Sequence, residues 1–144
     1  STLATSTPIA DHVQVDLEVR GCPIDRGQLR ETIAAHLAGR PARLPTTSVC
    51  RECKARGTPC VLVRAGTPCL GPVTMAGCNA ICPAHDRGCY GCFGPMESPN
   101  TPALAERLVE LGMSEVSIAR LFRSYNGWAE PFRSEADRYD RPDR

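Results

Sequence analysis

The chain has 144 residues, 17 basic and 16 acidic side chains and a net charge of +1, with sixteen of the basic residues arginine. That balance leaves no field for a polyanion, so nucleic acid is excluded as a partner, and no run of eighteen apolar residues marks a membrane span. Aromatic content is only 5%, whereas 13 Pro, 12 Gly and 9 Cys imply that much of the chain is held by something other than hydrophobic burial.

The opening STLATSTPIADHVQ lacks a basic n-region and an apolar h-region, so it does not read as a secretory signal, and the expected location is cytoplasmic. Residues 12–19 alternate, with Val13, Val15, Leu17 and Val19 on one side and Gln14, Asp16 and Glu18 on the other, the pattern of a half-buried strand. A single such strand needs neighbours, and none follows. It therefore suggests the end of a longer α/β sheet, or pairing with a partner subunit. After GCPID, Asp25 caps a helix with Gln28 completing a capping box, Leu29, Ile33 and Leu37 share one face, and Gly39 and Pro41 stop it.

Residues 46–96 contain eight of the nine cysteines and no periodicity, which marks a ligand-built segment. Beyond the polar break MESPNTP, Thr101 is the expected N-cap of a helix with Pro102 at its first position and Leu104, Leu108 and Leu111 on one face. Met113, Ser114 and Ile118 open a second helix to about Phe122, making a helical hairpin over 97–125. The remainder, 126–144, is dominated by charge and reads as a flexible tail or an arm that orders on a partner.

The eight cysteines form two sets of four: Cys50, Cys53, Cys60 and Cys69, then Cys78, Cys82, Cys89 and Cys92. Four thiolates suit either a tetrahedral zinc or a 4Fe-4S cube, and spacing alone does not decide. Disulfides fit poorly with nine cysteines and no signal. Iron and sulfur are favoured over zinc by the six-residue gaps in both sets, by Pro83 after Cys82, by Pro59 and Pro68 before Cys60 and Cys69, and by glycines that let backbone pass close to a bulky core. Arg51, Lys54, Arg56 and Arg64, with only Glu52 opposing, would dock an acidic redox partner or form a solvated face. His85 reads as a loop histidine, and Tyr90 and Phe93 as packing that shields a cluster.

The motifs GCPID, VCRECKARGTPC, GTPCLGPVT and GCNAICP…GCYGC together resemble the C-terminal part of the small, electron-transfer subunit of [NiFe] hydrogenases. The likeness is to the delta subunit of sulfhydrogenases and the small subunit of hydrogenases that do not use coenzyme F420, within the NADH:ubiquinone oxidoreductase 20 kDa-like family. The resemblance implies an irregular α+β fold in which 1–45 end a flavodoxin-like domain, 46–96 form a ferredoxin-like two-cluster segment, 97–125 a helical hairpin and 126–144 a charged tail. It implies that Cys50, Cys53, Cys60 and Cys69 hold a distal 4Fe-4S cluster and Cys78, Cys82, Cys89 and Cys92 a medial one. Cys22 would supply the last ligand of a third, proximal cluster whose other ligands lie outside this sequence. An interleaved partition, with Cys92 completing the Cys50 set, stays open. The implied role is to relay electrons between the nickel-iron centre of a large subunit and a flavin, NAD(P)-binding or other iron-sulfur acceptor subunit, with no catalytic residue in this chain. The alternatives are a ferredoxin-like subunit of another oxidoreductase, and a zinc-stabilised interaction protein.

Overall fold

The computed structural model describes residues 7–140; residues 1–6 and the last four of the expected tail lie outside the described residues. After a short turn at Ile9–Asp11 come seven helices: α1 (Arg26–Leu37), α2 (Val49–Ala55), α3 (Val61–Ala65), α4 (Ile81–Ala84), α5 (Thr101–Glu110), α6 (Glu115–Arg123) and α7 (Glu130–Tyr139). The described part is thus mostly helical and irregular. Its β structure is reduced to two isolated antiparallel bridges, Ser48 to Met75 and Thr74 to Pro95.

The strand expected over 12–19 does not form, and Val13, Val15 and Leu17 are exposed, Val13 by 55%. A lone strand cannot pair its own amides and carbonyls, and no partner strand stands beside it among the described residues. The helix that follows does form. Asp25 Oδ1 accepts from the Gln28 amide at 2.8 Å, satisfying one orphan N–H of α1. Leu29, Ile33 and Leu37 share one face, as expected; that face is exposed, Leu37 by 81%, and the helix turns Gln28, Thr32 and Ala35 to the rest of the chain. Gln28 decides this orientation, since its Nε2 donates to the Ala76 carbonyl at 3.2 Å and pins α1 to the cysteine segment. Gly77, at φ 146°, makes room for it: a Cβ there would overlap the Gln28 amide and lie 2.8 Å from Phe93 Cε1.

α5 is capped by Asn100, not Thr101: Asn100 Oδ1 accepts from the Ala103 amide at 3.2 Å, so Pro102 falls at the second helical position. It ends at Gly112 (φ 84°), with the Met113 amide returning to the Leu108 carbonyl at 3.1 Å. Ser114 caps α6 through the Ser117 amide, as expected. The expected charged tail is corrected over most of its length. Residues 130–139 form α7, which buries Phe132, Glu135 and Ala136 and packs against α5 and most extensively against α6. The resulting three-helix layer buries Leu104, Leu108, Ile118, Phe122 and Phe132 against Val49, Val61, Leu70 and Val73 of the cysteine segment in one core.

That core stands in for the sheet the cysteine segment lacks. Residues 73–76 run between 47–49 and 94–96, tied by Val49 N to Thr74 O (2.9 Å), Ala76 N to Thr47 O (2.8 Å), Met75 N to Gly94 O (2.9 Å) and Met96 N to Val73 O (2.9 Å). The start of the first cysteine set, the link between the sets and the end of the second are thereby fastened together.

Candidate functional site

Cys50 and Cys53 sit on α2, where an i, i+3 spacing turns both sulfurs to one side. Cys60 occupies the N-cap position of α3, and Cys69 lies in the loop beyond it. All four line one cavity of about 110 Å³, together with Lys54, Gly71 and Pro83. Gly71 is the close approach: a Cβ there would stand 3.2 Å from Cys69 Sγ and 3.7 Å from Cys50 Sγ. Two backbone amides reach the Cys69 sulfur, from Gly71 at 3.4 Å and from Cys89 at 3.2 Å.

Cys78, Cys82, Cys89 and Cys92 line a second cavity of about 300 Å³, and Cys22 lines it as well. Cys78 precedes Asn79 and Ala80, both left-handed at φ 56° and 51°, which turn the chain into α4 and bring Cys82 round to the same space. Cys89 is buried and its sulfur accepts from the Gly91 amide at 3.5 Å. Cys92 Sγ lies 4.0 Å from the Cys22 carbonyl. The structure therefore brings together each expected set of four, and adds Cys22 to the second. Pro83 forms part of the wall of both cavities.

All nine cysteines are free thiols. Burial pushes the Cys50 thiol up to about 11, with Cys69, Cys53 and Cys60 nearby adding to the effect, and burial pushes Cys89 up to about 12 against the Gly91 amide. Cys53, Cys69, Cys78 and Cys82 are raised for the same first reason. Four thiolates can share such a space only around a strongly positive centre, whose binding then releases protons. Among the described residues no three His, Cys, Asp or Glu side chains converge closely enough to grip a single ion. Each set of four cysteines lines one cavity.

Of the neighbouring residues singled out from sequence, Phe93 is buried beneath the second cavity, whereas Tyr90 lines it but is 42% exposed. His85 is exposed and lines neither cavity. Arg64 pairs with Asp86, and Arg56 donates to the Asn79 carbonyl at 2.8 Å, so two of the four basic residues serve the segment's own structure; Arg51 and Lys54 are exposed. Sequence reasoning missed Asn126. Its Nδ2 donates to the carbonyls of Gly91 and Cys92, each at 3.0 Å, clamping the last cysteine turn from the α6–α7 connection. Its only signal was the Asn-Gly pair at 126–127, a turn mark with no hint of its target.

Two neighbouring cavities, one lined by four cysteines and the other by five, with backbone amides reaching Cys69 and Cys89, mark the class: a cysteine-rich protein with a candidate thiolate site in each. Relatives narrow that class. The chain is 38% identical over 126 residues to the delta subunit of sulfhydrogenase 2 from Pyrococcus furiosus, covering 88% of this chain and 53% of that protein. It is 37% identical over 105 residues to a vhu F420-non-reducing hydrogenase subunit from Methanocaldococcus jannaschii, covering 60% of this chain and 36% of the relative. It is 31% identical over 120 residues to the iron-sulfur subunit of an F420-non-reducing hydrogenase from Archaeoglobus profundus, covering 62% and 36%. No family model matches the chain. The relatives are thus subunits of hydrogenases, which are oxidoreductase complexes, and one is named an iron-sulfur subunit, in keeping with nine cysteines here. The chain spans about half the length of the first of these relatives and about a third of the others. No helix among the described residues is long and apolar enough to cross a membrane.

Proposed function

We infer that this chain is the cluster-bearing part of the electron-transfer subunit of a cytoplasmic [NiFe] hydrogenase. Cys50, Cys53, Cys60 and Cys69 hold one 4Fe-4S cluster, the distal one, and Cys78, Cys82, Cys89 and Cys92 hold the medial one. The observation that carries the reading is that Cys50, Cys53, Cys60 and Cys69 line one cavity while Cys78, Cys82, Cys89 and Cys92, joined by Cys22, line another. Each cluster, when bound, supplies reversible one-electron exchange.

The chain's own residues do the rest. Amides of Gly71, Cys89 and Gly91 donate to ligand sulfurs, which favours the thiolate form and the more negative oxidation level's added charge. Val49 and Phe93 in the wall of the second cavity, and Val61 and Leu62 in that of the first, exclude water. Cys22 is exposed and lines the second cavity; in this reading it would supply the last ligand of a third, proximal cluster whose other ligands lie outside this sequence. In this reading the electrons travel between the nickel-iron centre of a large subunit and a flavin, NAD(P)-binding or iron-sulfur acceptor subunit, by way of the second site and then the first.

The relatives' greater length supports assigning residues 1–45 to the end of a flavodoxin-like domain, whose remainder covers the outward face of Leu29, Ile33 and Leu37 together with Val13, Val15 and Leu17. The two-cluster segment would then be 46–96, of ferredoxin-like type, in a member of the NADH:ubiquinone oxidoreductase 20 kDa-like family.

Anaerobic iron, zinc and acid-labile sulfide analysis, with EPR after dithionite reduction, tests the reading. About eight irons and eight sulfides per chain, with signals from two interacting clusters, are expected. About two zinc ions and no visible absorption would overturn it.

A further inference from the structure

Glu52 lies on α2 between the ligands Cys50 and Cys53, yet its carboxylate serves the other cysteine set. Oε1 accepts from the Gly77 amide at 2.9 Å and Oε2 from the Ala80 amide at 3.1 Å, and Cys78 Sγ lies 3.9 Å from Oε2. These amides bracket Cys78 in a turn whose Asn79 and Ala80 are both left-handed without being glycine, a conformation that persists only where its surroundings fix it. Arg56, from the end of the same helix, fixes that turn a second time through the Asn79 carbonyl. Among the described residues no lysine or arginine forms an ion pair with Glu52, and the hydrogen bonds of its carboxylate all go to the cysteine turn.

The geometry points to Glu52 as a positioning residue that couples the two sites: it anchors the Cys78 turn to the helix carrying Cys50 and Cys53, and its charge beside Cys78 Sγ disfavours an added electron at the centre Cys78 holds. This rests on the proposed function, because the second effect needs a redox centre there. One-electron reduction adds one negative charge at that centre, and a fixed carboxylate so near a ligand sulfur opposes it by repulsion. The first effect needs no cluster.

The test uses the full chain, isolated anaerobically, as wild type, Glu52→Gln, Glu52→Asp and Glu52→Ala. Dithionite-poised EPR titration should show one of the two centres reduced more easily in Glu52→Gln, by at least about tenfold in its equilibrium constant, or about 59 mV for a one-electron couple, with the other centre moved less. Glu52→Asp keeps the charge and should hold potentials near wild type. Unchanged potentials in a Glu52→Gln chain of wild-type iron content, or a Glu52→Asp shift as large as that of Glu52→Gln, would overturn the electrostatic part. Hydrogen exchange of peptides spanning 76–81, read by mass spectrometry, should be slow in wild type and at least tenfold faster in Glu52→Ala, with or without iron. Equal rates would overturn the anchor. A wild-type chain without iron would instead refute the proposed function and its potential-setting corollary, leaving the exchange measurement to decide the anchor.

Discussion

Replacing Phe132 with alanine tests whether α7 is part of the cysteine scaffold or an appendage to it. The ring is fully buried, meets Phe122 edge-on at a centroid distance of 5.7 Å and an interplanar angle of 68°, and lies against Gly91, where a Cβ would stand 3.1 Å from Phe132 Cε2. Truncation of a buried phenylalanine costs about 3 to 5 kcal/mol in transfer and cavity terms together. Loss of the edge-on pair adds roughly 0.5 to 1.5 kcal/mol. A total of about 5 kcal/mol, at a slope of about 2 kcal/mol per molar urea, should move the unfolding midpoint down by about 2.5 M, followed by far-UV circular dichroism. Because Phe132 backs the turn between Cys89 and Cys92, metal should leave the second cavity before the first as urea rises. Val116→Ala, which truncates an exposed side chain that lines neither cavity, is the control. A Phe132→Ala chain within about 1 kcal/mol of wild type, where surface changes usually fall, would refute the claim that α7 completes the core.

Asn126→Ala removes two donors from the Gly91 and Cys92 carbonyls and should cost about 1 to 3 kcal/mol, with iron lost preferentially from the second set; retention of all iron after gel filtration would count against the clamp. Gly88→Ala drives a methyl group into the Pro68 carbonyl and, since backbone must shift to relieve it, should destabilise by about 1 to 3 kcal/mol or more; an unaltered melting curve would contradict the contact between the two cysteine loops. Glu31 accepts from Arg40 Nη1 at 2.7 Å and Nη2 at 3.1 Å and from the Arg43 amide at 2.9 Å, and these bonds, Arg40's first, lower its carboxyl to about 2. The unfolded chain binds that proton near 4.5, so the clamp stabilises α1's exit above that pH and is lost as pH falls through about 2. The Glu31 side-chain carbon shift should titrate near 2 and drift upward in high salt; a midpoint near 4.5 would show that the clamp does not form.

What could be read from sequence was what short-range chemistry fixes. Asp25 with Gln28 and Ser114 with Ser117 are caps closed within three residues, so their residue types announce them. Spacing does not place the cut between the two cysteine sets, since eight residues separate Cys60 from Cys69 and eight separate Cys69 from Cys78; the resemblance implies it, and Cys50, Cys53, Cys60 and Cys69 line one cavity while Cys78, Cys82, Cys89 and Cys92 line another. Alternation over 12–19 misled because a strand exists only through its neighbours, and the period survives in Val13, Val15 and Leu17 without the pairing. The apolar stripe of α1 is legible as one face, but which face meets the cysteine segment is not, because Gln28 finds its carbonyl forty-eight residues away. Charge concealed α7, although Phe132, Ala136 and Tyr139 recur at i, i+4 and i+7, the spacing of an inward helix face.

The Cys69 sulfur receives an N–H from Cys89, and the Leu70 amide returns to the Cys89 carbonyl at 2.9 Å. A ligand of the first ring is therefore finished by a residue twenty positions downstream that belongs to the second. The earlier set reaches its final geometry only after the later stretch of chain has been made and folded, and a lesion in either set propagates to its neighbour. If both sets hold clusters as proposed, neither would mature as an independent module.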